Sequence, residues 1–167
     1  FLRDAEKIVE EANAKDVPLR ILGGLGVAFH CRAFRDFAKK LDRVGTGVIE
    51  GQEYSDIDLM AYRKHRDEVK ELFGDMGYAK RKATLSSAAS ERQIYYHPKG
   101  WFYVDVFFDK LLVANHPINF VGRLELDYPT ATVTDILLEK LQMWEAFSAK
   151  DLKDCLLLLK THAVEEK

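Results

Sequence analysis

The chain has 167 residues, 47% of them hydrophobic and 31% charged, with a formal net charge of −2. That length holds one domain with room for a small appendage, and the balance is that of an ordinary soluble globular protein. A charge so near zero excludes a global electrostatic pull toward nucleic acid or membrane, but not a local basic patch.

Two cysteines, Cys31 and Cys155, are too few and too far apart for a disulfide framework or a cysteine zinc site. The five histidines show no ligand spacing. The longest apolar run, residues 156–159, cannot span a bilayer, and no signal peptide is seen. The expectation is a cytoplasmic protein without membrane attachment. The chain begins with Phe1 rather than Met and stops soon after an apolar helix, as a trimmed piece of a longer protein would.

In chain order, Ala5, Ile8, Val9 and Ala12 follow helical spacing and predict a helix over residues 4–14, broken by the stretch from Asp16 to Pro18. A short strand, residues 19–22, ends on Gly23-Gly24. Residues 25–42 read as helix, with Val27, Phe34, Phe37 and Leu41 among its apolar positions. A Gly-rich loop or hairpin follows, and then a strand over residues 55–61 carrying Asp56 and Asp58. Val69, Leu72, Phe73 and Met76 make one stripe of a helix over residues 64–76, stopped by Gly77.

Two further strands are predicted over residues 92–97 and 101–109, joined at Pro98-Lys99-Gly100 as a hairpin. Residues 124–133 add a short extended piece. Helices over about residues 134–147 and 149–162 close the chain, and Thr132 with Asp135, and Ser148 with Asp151, resemble capping boxes. A boundary is expected near Tyr128-Pro129, dividing a mixed α/β domain (residues 1–128) from a helical extension packed on it (residues 129–167).

The aspartates raise the chemical question. Residues two apart on a strand share a face, so Ile57, Leu59 and Ala61 form the buried set and Asp56 and Asp58 stand together on the other side. Two like charges that close raise each other's pKa unless a cation sits between them. In the strand over 101–109, Tyr103, Asp105 and Phe107 share one face, with Phe102, Val104, Val106 and Phe108 on the other. If the two strands are neighbours, three carboxylates converge, and carboxylate oxygens suit hard divalent cations that also bind phosphate. Gly23-Gly24 lies between a strand and a helix, where backbone N–H groups and the helix dipole favour an anion.

The order "LGG", helix, "SDIDL", later "VDV" resembles the nucleotidyltransferase superfamily of the DNA polymerase β type, over about residues 19–109. The stretch from Leu137 to Leu159, with Lys140, Lys150, Asp151 and Asp154, resembles the branch of abortive-infection-type nucleotidyltransferase toxins. The resemblance implies an α/β fold with a mixed twisted sheet flanked by helices. It implies that Asp56, Asp58 and Asp105 bind two Mg²⁺ ions, with Mn²⁺ able to substitute, and that Asp105 helps deprotonate the acceptor. Gly23 and Gly24 would hold the β- and γ-phosphates. Lys140, with Lys150 or Lys153, would neutralise the triphosphate, and Asp151 would belong to the same nucleotide site. The reaction implied moves a nucleoside monophosphate from a nucleoside triphosphate to a tRNA, protein or small-molecule acceptor and releases pyrophosphate. The toxin-like branch also suggests a partner protein.

The chain departs from the pattern in places. Leu25 stands where many members have Ser or Thr, residues 43–52 look like an insertion, and Gln52, Glu53 and Tyr54 replace an arginine often found before the aspartates. These departures leave open a binding module that keeps the fold without turnover. A glycosyltransferase also uses Asp-x-Asp, but on a longer chain. Lys80, Arg81 and Lys82, with Arg63, Lys64 and Arg66, read as a solvated face rather than an RNA-facing patch. Ser86, Ser87 and Ser90 carry no nucleophile signature.

Overall fold

The protein is described by a computed structural model over residues 2–43, 56–82, 92–112, 116–142 and 148–163. All of the expected insertion after Arg43, the start of the aspartate strand at Ser55, the three serines and the last residues of the first closing helix lie outside the described residues.

Five strands form one mixed sheet: β1 (Leu19–Ile21), β2 (Asp56–Ala61), β3 (Ala79–Lys80), β4 (Arg92–Tyr96) and β5 (Tyr103–Phe108). Their order is β1-β2-β5-β4-β3, with β2 and β5 parallel and every other pair antiparallel. The far face is apolar by alternation. Ile57, Leu59, Ala61, Val104, Val106, Phe108 and Tyr95 are buried there under α1 (Leu2–Asn13) and α4 (Arg66–Asp75). Each such aliphatic side chain contributes about 1.5–3 kcal/mol by leaving water. The stripe of α1, Ala5, Ile8, Val9 and Ala12, is fully buried. Gly77, at φ +79°, ends α4. The Tyr78 N–H donates to the Phe73 carbonyl and the Gly77 N–H to that of Gly74, the bonding pattern of a left-handed helix stop.

The expected helix over 25–42 is three pieces. α2 (Gly23–His30) is followed by a 3₁₀ turn (Arg32–Phe34) and α3 (Arg35–Lys40). The helix begins on the glycines themselves, because the left-handed Gly23 turns the chain straight out of β1. The short strand β3, and a two-stranded ribbon of β6 (Lys110–Leu111) and β7 (Ile118–Asn119), go beyond the sequence reading. With two residues each, they carry too little alternation to be read.

A second buried cluster joins α2 to α5 (Val133–Leu141) and α6 (Ala149–Thr161) through Leu22, Val27, Met60, Ile136, Leu137, Cys155 and Leu158. Met60 is on the same face as the aspartates, so these helices cover one end of that face. Thr132 and Ser148 cap the two helices, each hydroxyl accepting the N–H of the aspartate three residues on and donating to its carboxylate. Residues Pro129 to Ala131 run beside Ile21, exchanging backbone hydrogen bonds with it. Between the helices lies Asp154, 0% exposed, bound at both oxygens by Arg43 and 3.3 Å from the Lys140 ammonium.

Removing one partner of a buried ion pair strands the other charge. Asp154→Ala is expected to lower unfolding stability by about 3–5 kcal/mol in urea titration, and Asp154→Leu by less than Asp154→Ala if repacking fills the space.

Candidate functional site

The β2–β5 register sets the site. Asp58 lies directly beside Asp105, and Asp56 beside Tyr103. Facing residues on paired strands project the same way, so all three carboxylates share one face. The same rule places Ile94 and Tyr96 of β4 beside Asp105 and Tyr103, and Arg92 beside Phe107. Three rows therefore cross the sheet: Asp56, Tyr103, Tyr96; Asp58, Asp105, Ile94; Met60, Phe107, Arg92.

Each carboxylate has a different setting. The Tyr103 hydroxyl donates to Asp56 at 3.1 Å. Asp105 is buried; Arg92 lies 3.6 Å from its Oδ2, and its Oδ1 has no hydrogen-bond partner. Burial raises the Asp105 pKa, and Arg92 opposes the rise. Asp58 is pushed up to about 8, first by burial and then by repulsion from Glu139, Asp56 and Asp105, with Lys140 opposing.

The turn before α2 is fitted to Asp58. The Leu22 N–H donates to the Asp58 carbonyl at 2.9 Å, continuing the β1–β2 pairing to the glycines. A Cβ on Gly23 would lie 2.5 Å from Asp58 Oδ2, and Gly23 has φ +61°. Glycine is therefore required twice, for the left-handed backbone and for the close approach of the carboxylate. The Gly23 N–H donates to Glu139 Oε2 at 3.0 Å. Glu139, on α5, thus reaches both the turn and the surroundings of Asp58. Burial raises its pKa against the opposing effects of Lys140 and the Gly23 N–H.

Lys140 is buried, with its ammonium 3.2 Å from Asp151 and 3.3 Å from Asp154. Burial works against its charge, but Glu139, Asp154 and Asp151 outweigh burial and hold its pKa above the ordinary lysine value. Asp151 combines two duties, capping partner of Ser148 and counter-ion of Lys140. Lys150 is exposed at the start of α6, and Lys153 reaches the carbonyl and carboxylate of Asp42. Of the expected nucleotide-site residues, then, Gly23 lies against Asp58, Gly24 follows it in α2 at the head of a cavity, Lys140 acts on Asp58 electrostatically, and Asp151 stands behind Lys140. Lys150 and Lys153 have partners or exposure of their own away from the turn. A cavity of about 420 Å³ runs along α2 from Gly24, with Arg3, Arg32 and Arg35 among its lining.

Four residues at or beside the site, Glu139, Arg92, Tyr103 and Arg43, were not singled out from sequence. Tyr103 and Arg92 follow from strand register once β4 and β5 are paired. Glu139 precedes Lys140 in the same helix and could have been found only by asking which α5 residue faces the turn. Among the described residues, no three metal-ligating side chains are already gathered round one point as a closed ion site. The unpartnered Asp105 oxygen and the crowded charge at Asp58 instead suit a cation that shares its coordination with phosphate and water.

No family model matches the chain, and no curated protein matches it in sequence. Solved structures do match. The lincosamide antibiotic adenylyltransferase LnuA, bound to lincomycin, superposes with a TM-score of 0.57 at 17% identity, over 93% of this chain and 94% of that one. ANT(2'')-Ia in complex with adenylyl-2''-tobramycin gives 0.56 at 14%, over 95% and 87%. The antibiotic-resistance factor ANT(2'')-Ia in solution gives 0.54 at 14%, over 92% and 80%. The chain has the nucleotidyltransferase fold. These neighbours are antibiotic adenylyltransferases, and they lend nothing specific to the abortive-infection branch. Within the nucleotidyltransferase fold of this chain, the paired strands and the glycine turn are the elements that bring the aspartates together.

Gly23→Ala is expected to lower the melting temperature through a strained backbone and the clash with Asp58, a loss of about 1–2 kcal/mol or more. In chelator-treated protein, Asp58→Asn is expected to raise the melting temperature by removing a crowded charge. An acid whose folded pKa lies above its unfolded one binds more protons in the native state, so stability falls as pH rises from the ordinary aspartate range to about 8. Melting curves across that window are expected to decline less for Asp58→Asn than for wild type.

Proposed function

We propose that this protein is a nucleotidyltransferase that moves a nucleoside monophosphate from a nucleoside triphosphate to a hydroxyl of a small-molecule acceptor. The observation that carries the reading is the placement of Asp58 beside Asp105 on one sheet face, with the Gly23 turn closed onto Asp58. The fold shared with adenylyltransferases supports it.

In this reaction the acceptor oxygen attacks the α-phosphorus, the bond to the oxygen bridging the β-phosphorus breaks, and pyrophosphate leaves. Asp105 accepts the hydroxyl proton, helped by a pKa that burial has already raised. Lys140, held by Asp151 and Asp154, presents a fixed positive charge near the turn. A phosphate takes the Gly23 N–H by displacing Glu139 from it. Asp56, Asp58 and Asp105 would hold divalent metal, Mg²⁺ in two ions with Mn²⁺ as a substitute, which supplies charge neutralisation at the attacking and leaving oxygens.

A second reading, a nucleotide-binding module without turnover, is favoured by one observation: Glu139 occupies the N–H that a phosphate would use. Transfer to tRNA or protein, and a partner protein, draw no support from the neighbours. Among the described residues no helix is long and apolar enough to cross a membrane.

A triphosphate with Mg²⁺ is expected to raise the melting temperature of wild type, and Asp58→Asn to lose that rise, since a ligand bound only to the folded state stabilises it. With α-labelled triphosphate and hydroxylated acceptors, label is expected to move with wild type and to fall by about 10²-fold or more with Asp105→Asn. Binding without any label transfer would select the second reading.

A further inference from the structure

The aspartate face is covered unevenly. At the Met60 and Asp58 side it is closed by α2, α5 and α6 through the second buried cluster. Toward β4 and β3 it is open: Tyr96 is 44% exposed, the Arg92 side chain is 47% exposed, and Ala79 and Arg81 are exposed beside them. Asp58 belongs to the closed side, with Gly23, Glu139 and Lys140. Asp105 lies at the border, and Arg92 and Arg81 are the cations that act on it.

Arg81 reaches this position through β3. Its N–H donates to the Ile94 carbonyl at 2.8 Å, and its neighbour Lys80 pairs with Tyr95, whose side chain is on the far face. The basic run that reads as one solvated patch is thus divided between faces. Arg81 joins Arg92, whereas Arg63 pairs with Asp109 and Arg66 lies over the Phe108 ring.

We propose that this open strip, formed by Ile94, Tyr96 and Tyr103 and flanked by Arg81 and Arg92, is the acceptor site, and that it takes a ring-bearing hydroxyl compound carrying a negatively charged group such as a phosphate. The inference rests on the nucleotidyl-transfer reading, because that reading assigns Asp105 the acceptor's proton. A ring stacks on the exposed Tyr96 and packs against the half-buried Ile94 and Tyr103, and guanidinium groups grip phosphate or carboxylate oxygens. Two arginines beside the proton acceptor also repel a polycation, so the site discriminates against an aminoglycoside such as the tobramycin found in one structural neighbour.

The test uses the full chain, saturated with Mg²⁺ and a non-hydrolysable triphosphate, in calorimetric titrations with uridine, uridine 5′-monophosphate, a short oligouridylate and tobramycin. The monophosphate is expected to bind about tenfold or more tightly than uridine, and tobramycin more weakly than either. Arg81→Glu is expected to erase the preference for the phosphate, and Tyr96→Ala to weaken uridine and its monophosphate alike. Tyr96→Ala should leave triphosphate binding as in wild type, and Arg81→Glu is compared with wild type at saturating triphosphate. An oligouridylate that binds more tightly than the monophosphate identifies a nucleic-acid end as the source of the phosphate, and equal binding identifies a small molecule. Equal affinities for uridine and its monophosphate, tighter binding of tobramycin, or a preference untouched by Arg81→Glu would overturn the proposal. If the chain binds no triphosphate, nucleotidyl transfer fails separately, and the same comparison of wild type with Arg81→Glu, made without triphosphate, still decides the acceptor preference.

Discussion

Two neighbouring parallel strands place Asp58 and Asp105 side by side, with Asp56 one row away, on a sheet face that α2, α5 and α6 cover at one end. Crowding of this kind costs stability. Burial and mutual repulsion push Asp58 up to about 8, and one oxygen of Asp105 is buried without a partner. A fold selected for stability alone would replace such a group with a hydrophobic one. The rest of the structure is arranged round this local disadvantage. β1 delivers the glycine turn against Asp58, α5 delivers Glu139 and Lys140, and the buried Arg43–Asp154–Lys140 network fixes the lysine.

The same arrangement divides the site by charge and cover. On the closed side, the N-terminus of α2 and Lys140 supply the donors and positive charge that the proposed function assigns to a phosphate chain. On the open side, tyrosines and arginines continue the sheet beyond Asp105. Glu139 belongs to the closed side but has the opposite sign. Its carboxylate occupies the Gly23 N–H and adds to the repulsion on Asp58, so under the proposed function a bound phosphate and its counter-ions would change the partners of both groups together.

Much of this was legible in the sequence, for definite physical reasons. Alternation assigned Ile57, Leu59 and Ala61 to one face of β2 and Asp56 and Asp58 to the other, and placed Asp105 with Tyr103 and Phe107. Thr132 and Ser148 announced the starts of α5 and α6 through their aspartate partners. Side-chain periodicity does not report which strands are neighbours, so the meeting of β2 with β5 could only be supposed. Nor does it report which side of a helix faces a turn more than a hundred residues away. The burial of Lys140 among three acidic groups was therefore hidden, and so was Glu139. The break of the expected helix after His30 was equally hidden, because Phe34, Phe37 and Leu41 preserve an apolar rhythm across the 3₁₀ turn.

The central claim is that the face holding Asp56, Asp58 and Asp105 is where metal and triphosphate meet. Anomalous diffraction from crystals grown with Mn²⁺ and a non-hydrolysable triphosphate tests it most directly. Manganese density is expected against those three carboxylates, with the phosphate chain along the first turn of α2 and Glu139 withdrawn from the Gly23 amide. Manganese bound elsewhere, or a triphosphate seated among Arg3, Arg32 and Arg35 in the cavity along α2 with the aspartates untouched, would contradict it.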